Sequence, residues 1–289
     1  MSLMSISIGI IFGIIAMLSW GFGDFLIAKA VRSAGVFRTF FWSIVLGLAP
    51  ILIIFALFFK FSAVSLFTGL LLIAISSLFF VGVLSLYKGF QIGVISIISP
   101  IASAGAVVTV ILSLIFLKEV LSVSQAIGIS LAILGSILAS FKFHDLIKLK
   151  LKKLATGVEF AMIAMLTGGV AFVLLDITIS ELGWFMPIFF IRIIGSFIAM
   201  IYAGAAKKNI SFPVNIVWIL VAISILETVA ILAIGAGISS DLTSIVIPVS
   251  SAFPIITIIL ARIFFKEILE LNQKIGVIAV LVGLVLLAI

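Results

Sequence analysis

The segment Ile115-Phe-Leu-Lys118-Glu119-Val-Leu121-Ser-Val-Ser-Gln125-Ala-Ile127-Gly128 returns 148 residues later as Ile263-Phe-Phe-Lys266-Glu267-Ile-Leu269-Glu-Leu-Asn-Gln273-Lys-Ile275-Gly276. The register needs no gap. At the same offset Ser96, Pro100, Ser103, Ala104 and Thr109 fall on Ser244, Pro248, Ser251, Ala252 and Thr257. Gly89 and Gly135 fall on Gly237 and Gly283, and Gly9, Met17 and Gly21 fall on Gly157, Met165 and Gly169. Apolar coincidences are common in a chain that is 65% hydrophobic. A Lys-Glu pair, a glutamine, paired prolines and several glycines in register are not. The chain reads as a duplicated module.

Outside the repeat, composition sets the solvent. Only 9% of the 289 residues are charged and the mean hydropathy is +1.58. Soluble domains carry about 25% charged residues, so this chain belongs to the membrane class. Cysteine is absent and His144 is the only histidine. A thiolate nucleophile, a His/Cys metal site or a Ser-His triad within the membrane has no residues to form it. No cofactor or metal is expected. The net charge of +7 is read as topology signals in loops rather than as a nucleic-acid surface. The first apolar segment lacks a basic flank and outruns a signal-peptide core, so it is read as a retained helix.

A spanning helix needs roughly 20 mostly apolar residues. Ten segments qualify, at 5–28, 37–59, 66–87, 93–117, 123–141, 157–180, 184–206, 213–236, 242–265 and 272–289. Lys118-Glu119 and Lys266-Glu267 turn the fourth span into the fifth and the ninth into the tenth, with Glu119 and Glu267 as turn and cap residues. Ser122-x-x-Gln125 has the form of a capping box. The sizeable polar connector is Lys142 to Lys153, KFHDLIKLKLKK. The organisation expected is a first five-helix repeat at 1–141, a basic linker at 142–156 and a second five-helix repeat at 157–289.

Five spans per half is an odd number, so the second half enters the bilayer from the opposite side. The predicted fold class is an all-α integral membrane protein, ten transmembrane helices arranged as a 5+5 inverted repeat. Loops 1–2, 3–4, 5–6, 7–8 and 9–10 together hold thirteen of the seventeen Lys and Arg residues; the opposite loops hold Lys60 and Lys118. The positive-inside rule makes the first face cytoplasmic and puts both termini outside.

Trp20-Gly21 followed by Asp24-Phe25 and Lys29, then Arg38, then Leu86-Tyr87 leading to Gly93, form an ordered set with Ser96-x-x-x-Pro100, Ser244-x-x-x-Pro248 and the two Lys-Glu turns. Together with the 148-residue echo, this set resembles the drug/metabolite transporter superfamily, in particular its ten-helix EamA-type members, over essentially the whole chain. The resemblance implies a cavity enclosed by helices one to four and six to nine, with five and ten outside it as scaffold. It implies transport of small organic metabolites such as amino acids, nucleotide precursors, sugars or drugs. Two features depart from the family's pattern. Its termini are usually cytoplasmic, and many members have Asn or another small polar residue where this chain has Asp24.

Ionisable residues inside spans are costly and must face the bundle interior or water. Glu227, midway along the eighth span, suits a proton-coupling group or a ligand for a substrate ammonium; the plainer alternative is a structural partner for Arg192. Trp20 and Asp24, spaced i and i+4, put an aromatic ring beside a carboxylate on one helix face, a pairing able to hold an organic cation. Alternatively Asp24 pairs with Lys29 or Arg38. Asp176 lies near the end of the sixth span, one turn beyond position 172, which echoes Asp24. Arg192 either takes a substrate carboxylate or phosphate or pairs with Glu227 or Asp176. Tyr87 either reaches substrate at the cavity rim or, with Lys88, anchors the third span at the interface. Arg262 is expected to snorkel.

Pro100, Pro248 and Pro254 lie within spans. The repeat-equivalent Pro100 and Pro248 predict matched kinks, as gates or as static bends. Gly9-x-x-x-Gly13 and the Gly128/Gly135 and Gly276/Gly283 pairs are read as close helix contacts. The sequence thus points to a multi-pass plasma-membrane protein whose partners are the lipid bilayer and a small-molecule substrate. It would be a secondary transporter rather than an enzyme, working by alternating access and coupled to protons. A lipid flippase-like or channel-type protein is the alternative. No Walker-type glycine-rich loop is present to support ATP hydrolysis.

Overall fold

The computed structural model describes residues 7–61, 63–93, 95–140, 156–257, 260 and 270–287. Every regular element among them is helical. The first repeat supplies α1 (Ile8–Ala34), α2 (Val36–Phe58, with a break at Gly47), α3 (Leu66–Ile92), α4 (Ile95–Ser103, resuming as Gly105–Leu112) and α5 (Val123–Ser140). The second supplies α6 (Val158–Leu182), α7 (Phe185–Ala205), α8 (Val214–Ile238), α9 (Thr243–Thr257, regular to Ser250) and α10 (Leu271–Leu287). Seven of these are long and apolar enough to cross a membrane, and the stretches Val123–Leu138, Thr243–Thr257 and Lys274–Leu287 are shorter apolar helices. Large apolar side chains stay exposed around the outside, among them Phe58, Phe116, Leu134, Ile201 and Ile278. In water such a surface would drive aggregation; in lipid it is at home. The linker 142–153 with His144, Arg262 and the Lys266-Glu267 turn lie outside the described residues.

Helix ends differ from those set by hydropathy. α1 runs on to Ala34 and α3 to Ile92, past the charged residues at which the apolar runs stop. Charge ends a hydrophobic segment but not a hydrogen-bond ladder. α1 stops at Gly35 and α6 at Gly183, which are repeat-equivalent and have φ of 87° and 76°. Their amides close on the carbonyls of Val31 and Ile179, at 3.1 and 2.8 Å. A positive φ is cheap for glycine alone, so the sharp α1–α2 and α6–α7 turns require it.

The two halves interlock by exchange. α1 packs on α8 and α9 of the other half, and its counterpart α6 packs on α3 and α4. The contacts repeat atom for atom. Thr109 Oγ1 donates to the Gly169 carbonyl at 3.1 Å, and Thr257 Oγ1 donates to the Gly21 carbonyl at 3.4 Å. A Cβ on Gly89 would lie 3.5 Å from the Gly157 carbonyl, and one on Gly237 would lie 3.5 Å from the Gly9 carbonyl. α5 packs along α10, its own counterpart. A Cβ on Gly128 would lie 2.8 Å from the Gly283 carbonyl, and one on Gly135 would lie 2.8 Å from that of Gly276. The earlier residue of one helix therefore meets the later residue of the other: equivalent helices run antiparallel.

The fourth helix of each half is broken beside its proline. Ser103 and Ser251 turn their hydroxyls back onto the carbonyls of Pro100 and Pro248, at 2.9 and 2.8 Å. The regular helix ends there, at Ala104 in α4 and over Ser251–Phe253 in α9. The matched kinks expected from sequence are present. At one end of the bundle, carboxylates join the halves. Ser7 donates to Asp241 and Thr68 to Glu181. Glu119 accepts from the Thr243 and Ser244 amides at 2.8 and 3.0 Å. Glu119 is thus a cap, but of α9 in the opposite half. α5, which begins beside it, is capped by the Ser122/Gln125 box, with bonds of 2.9 and 3.2 Å.

Two outcomes follow from this packing. Gly128→Leu forces a side chain into the Gly283 backbone and should cost about 1–3 kcal/mol as overpacking does, whereas Gly69→Leu, with open space around it, should leave the unfolding midpoint in detergent unchanged. Glu119→Ala should lower the same midpoint by an amount corresponding to loss of a helix cap, about 1–2 kcal/mol; an unaltered midpoint would show that α9 does not need Glu119.

Candidate functional site

Between the halves lies a cavity of about 230 Å³. α1 to α4 and α6 to α9 all contribute to its wall; among the described residues none of α5 or α10 does. The separation follows from packing: α5 and α10 are committed to each other through their glycines, which leaves the other eight helices to surround the centre.

Trp20 and Asp24 face the cavity from α1, Ser43 from α2, Tyr87 from α3, Arg192 from α7 and Glu227 from α8. Glu227 and Arg192 come from the second half and seat against glycines of the first. A Cβ on Gly23 would lie 3.6 Å from Glu227 Oε1, and one on Gly47 would lie 3.5 Å from Arg192 Cζ. The Glu227 carboxylate has the Trp20 indole N–H as its polar neighbour and interacts electrostatically with Arg192. Asp24 is 4% exposed, accepts from Ser99 Oγ at 3.3 Å, and feels the charge of Glu227. Thr228 Oγ1, one residue beyond Glu227, is buried with no hydrogen-bond partner among the described residues. Aromatic rings complete the wall. Trp20 lies 6.0 Å from Phe172 and 6.1 Å from Phe253, and Phe79 lies edge-on to Phe172 at 5.5 Å.

Five residues singled out in the sequence, Glu227, Asp24, Trp20, Arg192 and Tyr87, share this wall. Asp24 does not pair with Lys29, which is exposed, or with Arg38, whose Nε donates to the Ser211 carbonyl at 3.0 Å. Tyr87 is not an interfacial anchor: it is 2% exposed and edge-on to Phe40 at 6.2 Å. Because α3 continues five residues past Tyr87, the ring sits well inside the helix end. Lys88 bonds Gln91 at 3.0 Å instead of joining it. Asp176 is not part of the cavity. Its carboxylate accepts from Thr243 Oγ1 at 2.5 Å, beside Glu119. Pro100 and Pro248 stand in the broken helices that flank the cavity, behind Ser103, Ser250 and Ser251 in its wall. Sequence reasoning missed Ser43, Ser99, Phe79 and Phe172. The last two could have been found from the offset, since they occupy the repeat positions of Glu227 and Asp24. No group of three or more His, Asp or Glu side chains able to hold a metal occurs among the described residues.

The fold is shared with known proteins. A solved crystal structure superposes with a TM-score of 0.71 at 14% identity, covering 98% of both chains. An uncharacterized protein of Methanocaldococcus jannaschii is 33% identical over 134 residues, which are 45% of this chain and 95% of that one. That relative is about one repeat long. The model of the EamA-like transporter family matches twice, at residues 7–141 and again at 155–289. With both halves matched and the apolar helices to carry them, the chain is a multi-pass membrane protein that belongs to the EamA-like transporter family.

Proposed function

We propose that this protein is a ten-span secondary transporter that moves a small organic solute across the plasma membrane by alternating access through the central cavity. The observation that carries the reading is the placement of Asp24, Arg192 and Glu227 together at the junction of the two halves. Ionisable groups at that depth are too costly to keep for packing alone when apolar residues would fill the space. Glu227 lies midway along α8, and Trp20 and Asp24 lie near the middle of α1. The antiparallel crossing of α5 and α10 supports inverted halves, in which rocking of one against the other exposes a midplane site to each side in turn. The breaks after Pro100 and Pro248, at equivalent places in both halves, are suitable hinges. A cavity of about 230 Å³ is smaller than the roughly 300–1,000 Å³ of pockets for drug-sized ligands. The solute is correspondingly small, in the range of an amino acid, a nucleotide precursor, a sugar or a compact drug-like molecule.

Charge distribution supports one orientation. Lys29, Arg32, Arg38, Lys207 and Lys208 gather at one end, and Glu119, Glu181 and Asp241 at the other. The cationic end is cytoplasmic, with both termini outside. The native chain has no cysteine, so single-cysteine labelling needs no background removal. A membrane-impermeant maleimide should label Ser240→Cys in intact cells and Lys208→Cys only after the membrane is opened; the reverse pattern would invert the orientation.

Proton coupling is assigned to Glu227, with Asp24 as the second group. A solute found by thermal stabilisation across amino acids, nucleosides, sugars and organic cations is then followed into proteoliposomes. Glu227→Gln should abolish the response of uptake to an imposed pH gradient while the purified protein stays monodisperse. An unchanged response in that variant removes Glu227 from the coupling step. Saturation-free flux would point to a channel instead.

A further inference from the structure

The repeat is kept in the glycine and threonine contacts that join the halves and is broken at two pairs of positions in the cavity wall. The position equivalent to Asp24 is Phe172, and the position equivalent to Glu227 is Phe79. All four line the same cavity. Asp24 and Glu227 are neighbours there: a Cβ on Gly23, the residue before Asp24, would lie 3.6 Å from Glu227 Oε1. Phe79 and Phe172 touch edge-on at 5.5 Å. The two-fold relation that superposes the halves therefore exchanges a carboxyl pair with an aromatic pair. In α1 the carboxyl of Asp24 lies closer to the end at Ala34, and in α6 the ring of Phe172 lies closer to the end at Leu182. Since α1 and α6 are equivalent and inverted, Asp24 in the carboxyl pole is displaced toward the cationic end of the bundle and Phe172 in the aromatic pole toward the other, while Glu227 and Phe79 lie near the middle of α8 and α3.

Charge within the cavity does not balance. Among the described residues its titratable wall groups are Asp24 on α1, Tyr87 on α3, Arg192 on α7 and Glu227 on α8, and α2, α4, α6 and α9 place only apolar or hydroxyl side chains and glycine there. With Tyr87 neutral, two carboxyls face one guanidinium. In a wall this apolar an uncompensated carboxylate is expensive, so one carboxyl must hold either a proton or a cationic partner. The aromatic pole beside it fits the apolar body of the same molecule, and Trp20, in contact with Phe172 at 6.0 Å and neighbouring Glu227, joins the two poles.

We propose that the cavity binds a small monocationic arylalkylamine, its ammonium between Asp24 and Glu227 and its ring against Phe79 and Phe172, and that the ammonium displaces one proton from the carboxyl pair. This rests on the reading of the cavity as the transport site and names its substrate class. The ligand needs both features: a lone ammonium leaves the rings empty, and an anion or neutral alcohol leaves the charge unbalanced.

Calorimetric titration of the purified full chain tests this with 2-phenylethylammonium, ethylammonium, 3-phenylpropionate and 2-phenylethanol, in two buffers of different ionisation enthalpy. The arylamine should bind at least about tenfold more tightly than the other three and release about one proton. On acidification its affinity should fall by about tenfold per pH unit, as for one competing proton. Asp24→Asn should abolish proton release, and Phe79→Ala should weaken the arylamine by about tenfold without changing the proton count. Equal binding of the anion or the alcohol, or amine binding without proton release, overturns the proposal. Should Asp24→Asn fail to fold, the four-ligand comparison on the native chain still decides. Tight amine binding with no flux in proteoliposomes would remove the transporter reading and leave this one standing. Flux of another solute, lost on blocking the cavity, with no amine binding would do the reverse.

Discussion

The structure depends on backbones that approach more closely than side chains permit. In lipid, apolar side chains gain nothing by leaving their solvent, so helices associate through close van der Waals contact and the hydrogen bonds it allows. Here those contacts occur in exchanged pairs. Gly128 against Gly283 and Gly135 against Gly276 bind α5 to α10, and the Thr109–Gly169 and Thr257–Gly21 bonds tie each fourth helix to the first helix of the other half. Neither half closes a cavity by itself. The site exists only where both contribute, which is why its charged groups on α7 and α8 rest on glycines of α1 and α2.

Much of this was legible in the sequence, because the informative residues were rare against an apolar background. A Lys-Glu pair, a proline or a glycine in register at one offset marks the duplication. Asp24, Arg192 and Glu227 stand out for the same reason, and all three reach the cavity. Legibility failed where that contrast vanished. Phe79 and Phe172 are two of 27 phenylalanines, and no local pattern separates a ring facing the cavity from one facing lipid. Tyr87 was open to reading as an anchor because hydropathy ends at Lys88, whereas the helix ends at Gly93. Asp176 resembled the other acids in lying within an apolar span, though near its end; the meeting of α6 with α9 shows that it serves Thr243.

Glu119 shows a different limit. Its place in a turn and its type made it a cap, and it is one. What it caps is the α9 terminus of the opposite half, a contact separated by more than a hundred residues. Together with Ser7–Asp241 and Thr68–Glu181, it makes one end of the bundle a seam of carboxylates and hydroxyl or amide donors between the halves. At the other end, Arg38 and Trp42 donate to the carbonyls of Ser211 and Ile210, both at 3.0 Å. Each end is therefore closed by polar bonds of a different kind. Such bonds exchange readily with water at an interface, unlike the glycine contacts buried between helices. Rocking of one half against the other would spend the former and spare the latter.

Duplication explains how the two requirements separate. The glycine and threonine contacts between the halves occur twice and stay matched only if both copies keep their residues: loss of Gly21 would leave the Gly169 contact without its equivalent. The cavity carries no such obligation. Where its side chains face open space rather than the other half, equivalent positions are free to differ, as Asp24 and Phe172, or Glu227 and Phe79, do. A symmetric lining would offer the same groups to both sides of the membrane and would hold a solute equally well in two orientations. In the transporter reading proposed above, the carboxyl and aromatic pairs, by differing across the two-fold, would give a solute one orientation while the scaffold around it stays symmetric.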